Sequence, residues 1–177
     1  MMGMSLRGPM QLKLWGNVAE TFPDQMPTTR EPVKLFVDGA SRGNPGEAGA
    51  GIVITLGGAR IFQDGFYLGR GTNNEAEYWA LLLGLQKVID LSLLEHPLFI
   101  FSDSQLLVRQ IRGEYRVKNL ALRRLFDRAQ GLLRLCSYTI VHVLREYNKE
   151  ADAMANKGVD EHAVIPLDML ERLGLAL

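Results

Sequence analysis

Cysteine is almost missing from these 177 residues: Cys136 stands alone. One thiol closes no internal disulfide and builds no cysteine-ligated metal cluster, so Cys136 reads as a small residue beside the core. Histidine is scarce too, at three. No apolar run nears the ~18 residues of a membrane-crossing helix, and the opening of the chain has no compact apolar stretch ahead of a small-residue cleavage site. The expectation is a soluble, cytoplasmic protein with no membrane partner. Net charge is absent as well, with 20 basic against 20 acidic side chains, so overall charge advertises no polyanion.

What is present suits one ordinary globular domain, with 47% hydrophobic residues. Residues 1–31 hold five of the seven methionines and three prolines, with little periodicity beyond the alternation "QLKLW". They read as an N-terminal extension carrying at most one edge strand. Residues 32–160 form the main domain and residues 161–177 a C-terminal tail, where "PLDMLERLGLAL" predicts a short amphipathic helix after Pro166. Charge is unevenly spread. Between Arg109 and Arg134 eight basic residues face only Glu114 and Asp127, and if they fold onto one surface they make a polyanion footprint.

The period of the apolar residues marks the elements. "VKLFVDGA", "GAGIVIT" and "RIFQDGFYLG" read as three strands joined by the turn sequences "GNPG" and "LGGA", a three-stranded meander. "EAEYWALLLGLQKVIDLSLL" then changes to helical spacing, with Asn73 or Asn74 as the N-cap. "HPLFIFS" is a short, wholly apolar run of the kind found in a buried parallel strand. "DSQLLVRQIRG" and "LALRRLFDRAQGLLRLC" read as helices broken at Gly113, "SYTIVHVLRE" as a last strand and "KEADAMANKGV" as a last helix. The order βββαβααβα predicts an α/β fold, a mixed sheet flanked by helices.

Four carboxylates sit in unexpected company. Asp38 follows three apolar strand residues, where an unpaired carboxylate is costly. Asp103 ends the apolar run "LFIFS", at the strand end where α/β sheets place ligands. On the long helix, steps from Glu77 reach Leu81, Gly84, Leu85 and Val88, whereas Glu75 leads through Trp79 and Leu82 to Gln86, so Glu77 points more surely at the sheet. Asp152 lies between two alanines near the start of the last helix. Acids converging from four elements repel unless a cation compensates them, and oxygen-only ligation suits magnesium or manganese.

"FVDGASRGNPGEAGAG", "TNNEAEYWALLLGL", "FSDSQLLVRQI" and "REYNKEADAMAN" together resemble type 1 ribonuclease H, in its compact bacterial and archaeal form, over about residues 33–160. The resemblance implies the ribonuclease H-like fold, a five-stranded βββαβαβα mixed sheet flanked by helices, and makes residues 32–160 the catalytic domain. It implies hydrolysis of the RNA strand of an RNA–DNA hybrid, leaving 5′-phosphate and 3′-hydroxyl ends; a monomer is the simpler expectation for the chain. Asp38, Glu77, Asp103 and Asp152 become both metal ligands and catalytic residues, holding two magnesium ions, with manganese as a substitute. Ser41, Gly43 and Asn44 become readers of RNA 2′-hydroxyls, Asn73 and Gln105 minor-groove contacts, and Thr72 part of a phosphate pocket for the DNA strand. Relatives that carry a histidine in the loop before the last helix have no counterpart in "LREYNKEAD"; Arg145 is the candidate auxiliary there. His142, alternating with Ile140 and Leu144, reads as structural. The basic segment lacks the aromatic interleaving of some relatives. A non-catalytic nucleic-acid binding module of the same fold is the alternative, although it would be expected to lose one of the four acids.

Overall fold

The computed structural model describes residues 30–175; "QLKLW" and the rest of residues 1–29 lie outside the described residues. Strand β1 (Val33–Gly43) buries Val33, Leu35 and Val37 on one face, and β2 (Gly46–Leu56) buries Ile52 and Ile54 beside them. The two run antiparallel from the Val33↔Leu56 pair to the Gly43↔Gly46 pair, so the predicted turn shrinks to Asn44 and Pro45, joined by a cis peptide bond. The meander closes with β3 (Ala59–Gly71), antiparallel to β2. Next come α1 (Asn73–Asp90), β4 (Leu98–Ser102), α2 (Gln105–Ile111) and α3 (Leu120–Leu133). The chain ends with β5 (Tyr138–His142), a 3-10 turn over Arg145–Tyr147, α4 (Lys149–Glu161) and α5 (Leu167–Leu173). The sheet order is β3-β2-β1-β4-β5, with β4 and β5 parallel to β1, which is the expected mixed sheet.

Helix α1 starts one residue earlier than its sequence suggests. Thr72 is the N-cap: its Oγ1 accepts from the Glu75 backbone N–H at 3.3 Å, and the Glu75 carboxylate accepts from the Thr72 backbone N–H at 2.8 Å. This reciprocal capping box satisfies two donors that a bare helix end would leave open, so it wins over a cap at either asparagine. Nor does α1 carry a narrow buried stripe. Every residue from Ala76 to Gln86 is buried, because the sheet lies under the helix while α3 and α5 pack against its other sides. The tail thereby joins the core through Met169 and Leu173. On the opposite face α4 packs on β1, β2 and β3.

Candidate active site

Two close backbone approaches assemble the acids. Asp38 and Gly39 are neighbours on β1 and point to opposite faces of the sheet. A Cβ on Gly39 would stand 2.2 Å from the Glu77 backbone nitrogen, so only glycine lets α1 settle here and bring Glu77 beside Asp38. On the other face Asp38 pairs across strands with Gly51. A Cβ on Gly51 would stand 2.0 Å from the Ala151 carbonyl oxygen, and that contact seats α4 with Asp152 next to Asp38. Asp103 enters from the carboxyl end of β4, adjacent and parallel to β1. The four acids line one cleft of about 410 Å³ together with Gly39, Ser41, Asn73, Ser104, Arg145 and Asn156.

Within it, Asp38, Glu77 and Asp103 each offer a carboxylate oxygen within 4.8 Å of the others. Asp38 and Glu77 are 4% and 5% exposed. Burial, followed by the charges of Asp103 and Asp152, pushes the Asp38 carboxyl up to about 8. Burial also pushes Glu77 well up, with the Asp38 and Asp103 charges adding to it. Glu77 Oε2 is buried with no hydrogen-bond partner among the described residues. A buried, partnerless carboxylate oxygen beside two more carboxylates is a costly arrangement for a protein alone and a fitting one for a hard divalent cation. Asp152 is outside this tight trio. Its Oδ1 accepts from Arg145 Nη2 at 2.7 Å, and that bond holds the Arg145 guanidinium still more firmly protonated. Arg145 is itself 76% exposed at the cleft edge.

The remaining residues singled out from sequence gather at the same end of the sheet, with Gln105 exposed at the start of α2. Ser41 Oγ donates to the carbonyls of Gly43 and, at 2.8 Å, of Gly71. Asn44 Oδ1 accepts from the Asn73 backbone N–H at 3.3 Å, tying the β1–β2 turn to the head of α1. Gly43 holds φ +113°, a backbone that a side chain would strain. The Thr72 hydroxyl is engaged in the capping box, where it also lies 2.7 Å from Glu75 Oε2. His142 lies exposed at the end of β5, with Nε2 3.2 Å from the Asp103 carbonyl; the strand stops there, so its alternation with Leu144 ends.

Sequence reasoning passed over Asn148. This residue is 1% exposed, and its Nδ2 donates to the Val37 carbonyl at 2.9 Å and to Asp103 Oδ1 at 3.0 Å. It therefore orients one of the clustered carboxylates and ties the start of α4 to β1. The only signal was the asparagine inside "REYNKEAD", which says nothing of a partner across the fold. The basic segment also changes meaning. Arg112 donates to the Ile140 carbonyl, Arg128 to the Arg172 carbonyl and Arg123 to Asp127, so part of the charge is spent inside the molecule. Aromatic residues are interleaved after all: the Arg109 guanidinium lies 5.1 Å from the Tyr115 ring centroid, and that of Arg123 lies 5.5 Å from Phe126.

Comparison with known proteins agrees with this picture. Residues 36–158 match the family profile described as reverse transcriptase-like. The chain is 40% identical over 131 residues to ribonuclease HI of Halobacterium salinarum, covering 73% of this chain and 65% of that protein. The crystal structure of that archaeon's RNase H1 superposes with a TM-score of 0.70 at 39% identity, over 73% of this chain and 98% of the crystallised one. LC11-RNase H1, solved in complex with an RNA/DNA hybrid, gives 0.69 at 34% identity, over 73% of this chain and 97% of that one. A bifunctional protein of Mycobacterium tuberculosis is 38% identical over 136 residues, which are 74% of this chain and 36% of its length. The chain thus spans under two thirds of these curated relatives.

Proposed function

The chain belongs to the type 1 ribonuclease H family, and we propose that it is a metal-dependent endonuclease that hydrolyses the RNA strand of RNA–DNA hybrids, leaving 5′-phosphate and 3′-hydroxyl ends. One observation carries the reading: three carboxylates approach within 4.8 Å of one another, and an oxygen of one of them is buried without a partner among the described residues. Asp38, Glu77 and Asp103 would hold the cation, with Asp152 completing a set able to take two ions, magnesium first and manganese as a substitute. When bound, such ions act as Lewis acids, lowering the pKa of water and offsetting the charge of a phosphodiester in displacement.

The chain's own groups do the rest. Asn148 keeps the Asp103 carboxylate turned into the cleft. Arg145 pairs with Asp152 and leaves the rest of its fork in solvent at the rim, where it can meet a phosphate oxygen. The β1–β2 turn, braced by Ser41 and Asn44, brings backbone groups at Ser41, Gly43 and Asn44 toward the ribose edge of the cleaved strand. Asn73 and Gln105 serve as minor-groove contacts and Thr72 as a contact to the other strand. The reading carries with it a monomer acting in the cytoplasm, with the hybrid as its partner.

The test is cleavage of labelled RNA–DNA hybrid, duplex DNA, duplex RNA and single strands, with magnesium, manganese or chelator. The expected result is metal-dependent cutting confined to RNA in the hybrid, abolished in a folded Asp103→Asn variant. Equal cutting of duplex DNA overturns the reading, and tight hybrid binding without turnover in any metal would make this a binding module.

A further inference from the structure

Among the described residues that line the acidic cleft, four are acids and Arg145 alone is basic. Its Nη2 donates to Asp152 Oδ1 at 2.7 Å. That bond, then the charges of Asp152, Asp38 and Asp103, hold the guanidinium protonated. In return its charge offsets part of the upward push that burial and the neighbouring acids exert on Glu77. Arg145 therefore acts on the whole cluster, although it bonds to the one acid outside the tight trio of Asp38, Glu77 and Asp103.

The two halves of the cluster are thus held by different means. Asp103 is oriented by a neutral donor, the Asn148 amide at 3.0 Å, which leaves its negative charge at full strength for a cation. Asp152 is oriented by a full positive charge, which does not. Whichever oxygen of Asp152 serves as a ligand, Arg145 opposes it: Oδ1 has first to be given up by the guanidinium, and Oδ2 lies beside a like charge to that of the ion. The hold is also a loose one. The Arg145 side chain is 76% exposed and that of Asp152 28%, and an ion pair so open to solvent contributes little. A guanidinium on so short a 3-10 turn, with further N–H donors directed to solvent, is free to exchange the carboxylate for a phosphate oxygen.

We propose, as an assignment that rests on the metal-dependent reading, that Arg145 competes with the second divalent ion for Asp152 and so sets that ion's affinity below the first. Arg145 then serves Asp152 or a phosphate but not both at full strength, which ties ion loading to substrate capture.

The test counts bound ions instead of turnover. Manganese is titrated into the full chain with the free aqua ion followed by electron paramagnetic resonance, and magnesium is titrated by calorimetry. The parent should show a tighter and a weaker site. Arg145→Met keeps an unbranched stem at an exposed position and removes the charge; it should tighten the weaker site about five- to tenfold and move the tighter one much less. Arg145→Lys, which keeps the charge, should stay within about twofold of the parent. In an Asp152→Asn background Arg145→Met should leave the remaining site nearly as it was. A second ion that binds only in Arg145→Met supports the proposal as well. A merely structural role for Arg145 predicts the opposite sign, since loosening the site weakens its ligands. Second-ion binding that is unchanged or weaker in Arg145→Met, or a single ion in both proteins, overturns the proposal and leaves the metal reading standing. No ion bound by the parent, or binding indifferent to Asp38→Asn, overturns both.

Discussion

At Asp38 and Glu77 the protein keeps two carboxyl groups almost wholly buried in the wall of the cleft, and the consequence is a pH dependence with a definite sign. Asp38 rises from 3.8 to about 8 because burial and the Asp103 and Asp152 charges disfavour its ionised form. A group whose pKa is higher in the folded state contributes stability in full below its unfolded value and loses it as pH climbs through the folded one. Chelated protein should therefore show a melting temperature that declines as pH rises from about 4 to about 8 beyond what Asp38→Asn shows. Added magnesium should raise it most at the alkaline end, because ligands must lose their protons to bind. Glu77 and Glu75 separate in the same assay. Glu75→Gln leaves an amide oxygen able to close the same capping box and should cost less than about 1 kcal/mol with activity largely kept. Glu77→Gln should stabilise the metal-free protein by relieving buried repulsion while lowering turnover on the order of a hundredfold or more; the opposite ranking would refute the assignment on α1. The acids were visible in sequence because carboxylates stood among apolar neighbours. Asn148 was not, since its partners Val37 and Asp103 lie 111 and 45 residues away and no local pattern announces them.

The elements were legible wherever the apolar period was clean, and least legible where one element served another. The meander, the β4 run and the helices on either side of Gly113 follow from spacing alone. The head of α1 does not, because Thr72 and Glu75 satisfy each other's donors and acceptors ahead of the asparagines. The glycines between Gly39 and Gly51 look in sequence like a loop, yet most continue two paired strands. Their use appears only when α1 and α4 arrive, since backbone must pass where a side chain would stand. Gly51→Ala is the sharp case: its Cβ would meet the Ala151 carbonyl at 2.0 Å, so α4 must lift away from β2. Overpacking of this kind typically costs ~1–3 kcal/mol. Because α4 carries Asp152, the variant should also lose activity out of proportion to its fall in melting temperature. A substitution that costs only stability, with turnover per folded molecule unchanged, would show that the α4 position does not set the site.

For the whole molecule, equal numbers of acidic and basic residues conceal a division of labour. Four of the acids, Asp38, Glu77, Asp103 and Asp152, line one cleft, whereas basic residues between Arg109 and Arg134 include two distinct groups. Arg112, Arg123 and Arg128 bond to the protein itself. Arg116 and Lys118 are exposed on the segment between α2 and α3, beside Tyr115 and its contact with Arg109. Sequence alone could count these charges but not sort them, because the sorting depends on which carbonyls the fold leaves within reach. A polyanion held by a few such side chains binds with a steep salt dependence: each phosphate contact on a duplex weakens binding about 3–4-fold between 50 and 200 mM salt. Arg116 and Lys118 changed together to glutamate should therefore raise KM for the hybrid about tenfold at low salt and flatten the logarithmic salt slope by about two. The kcat should stay close to that of the parent, since neither residue lines the acidic cleft. The same reversal at Arg112 should act differently. Its guanidinium holds the Ile140 carbonyl on β5, so Arg112→Glu should lower the melting temperature and leave the salt slope nearly as it was. Were the two variants to shift the salt slope alike, the footprint would be the whole segment rather than its exposed turn, and the division drawn from the intramolecular bonds would fail.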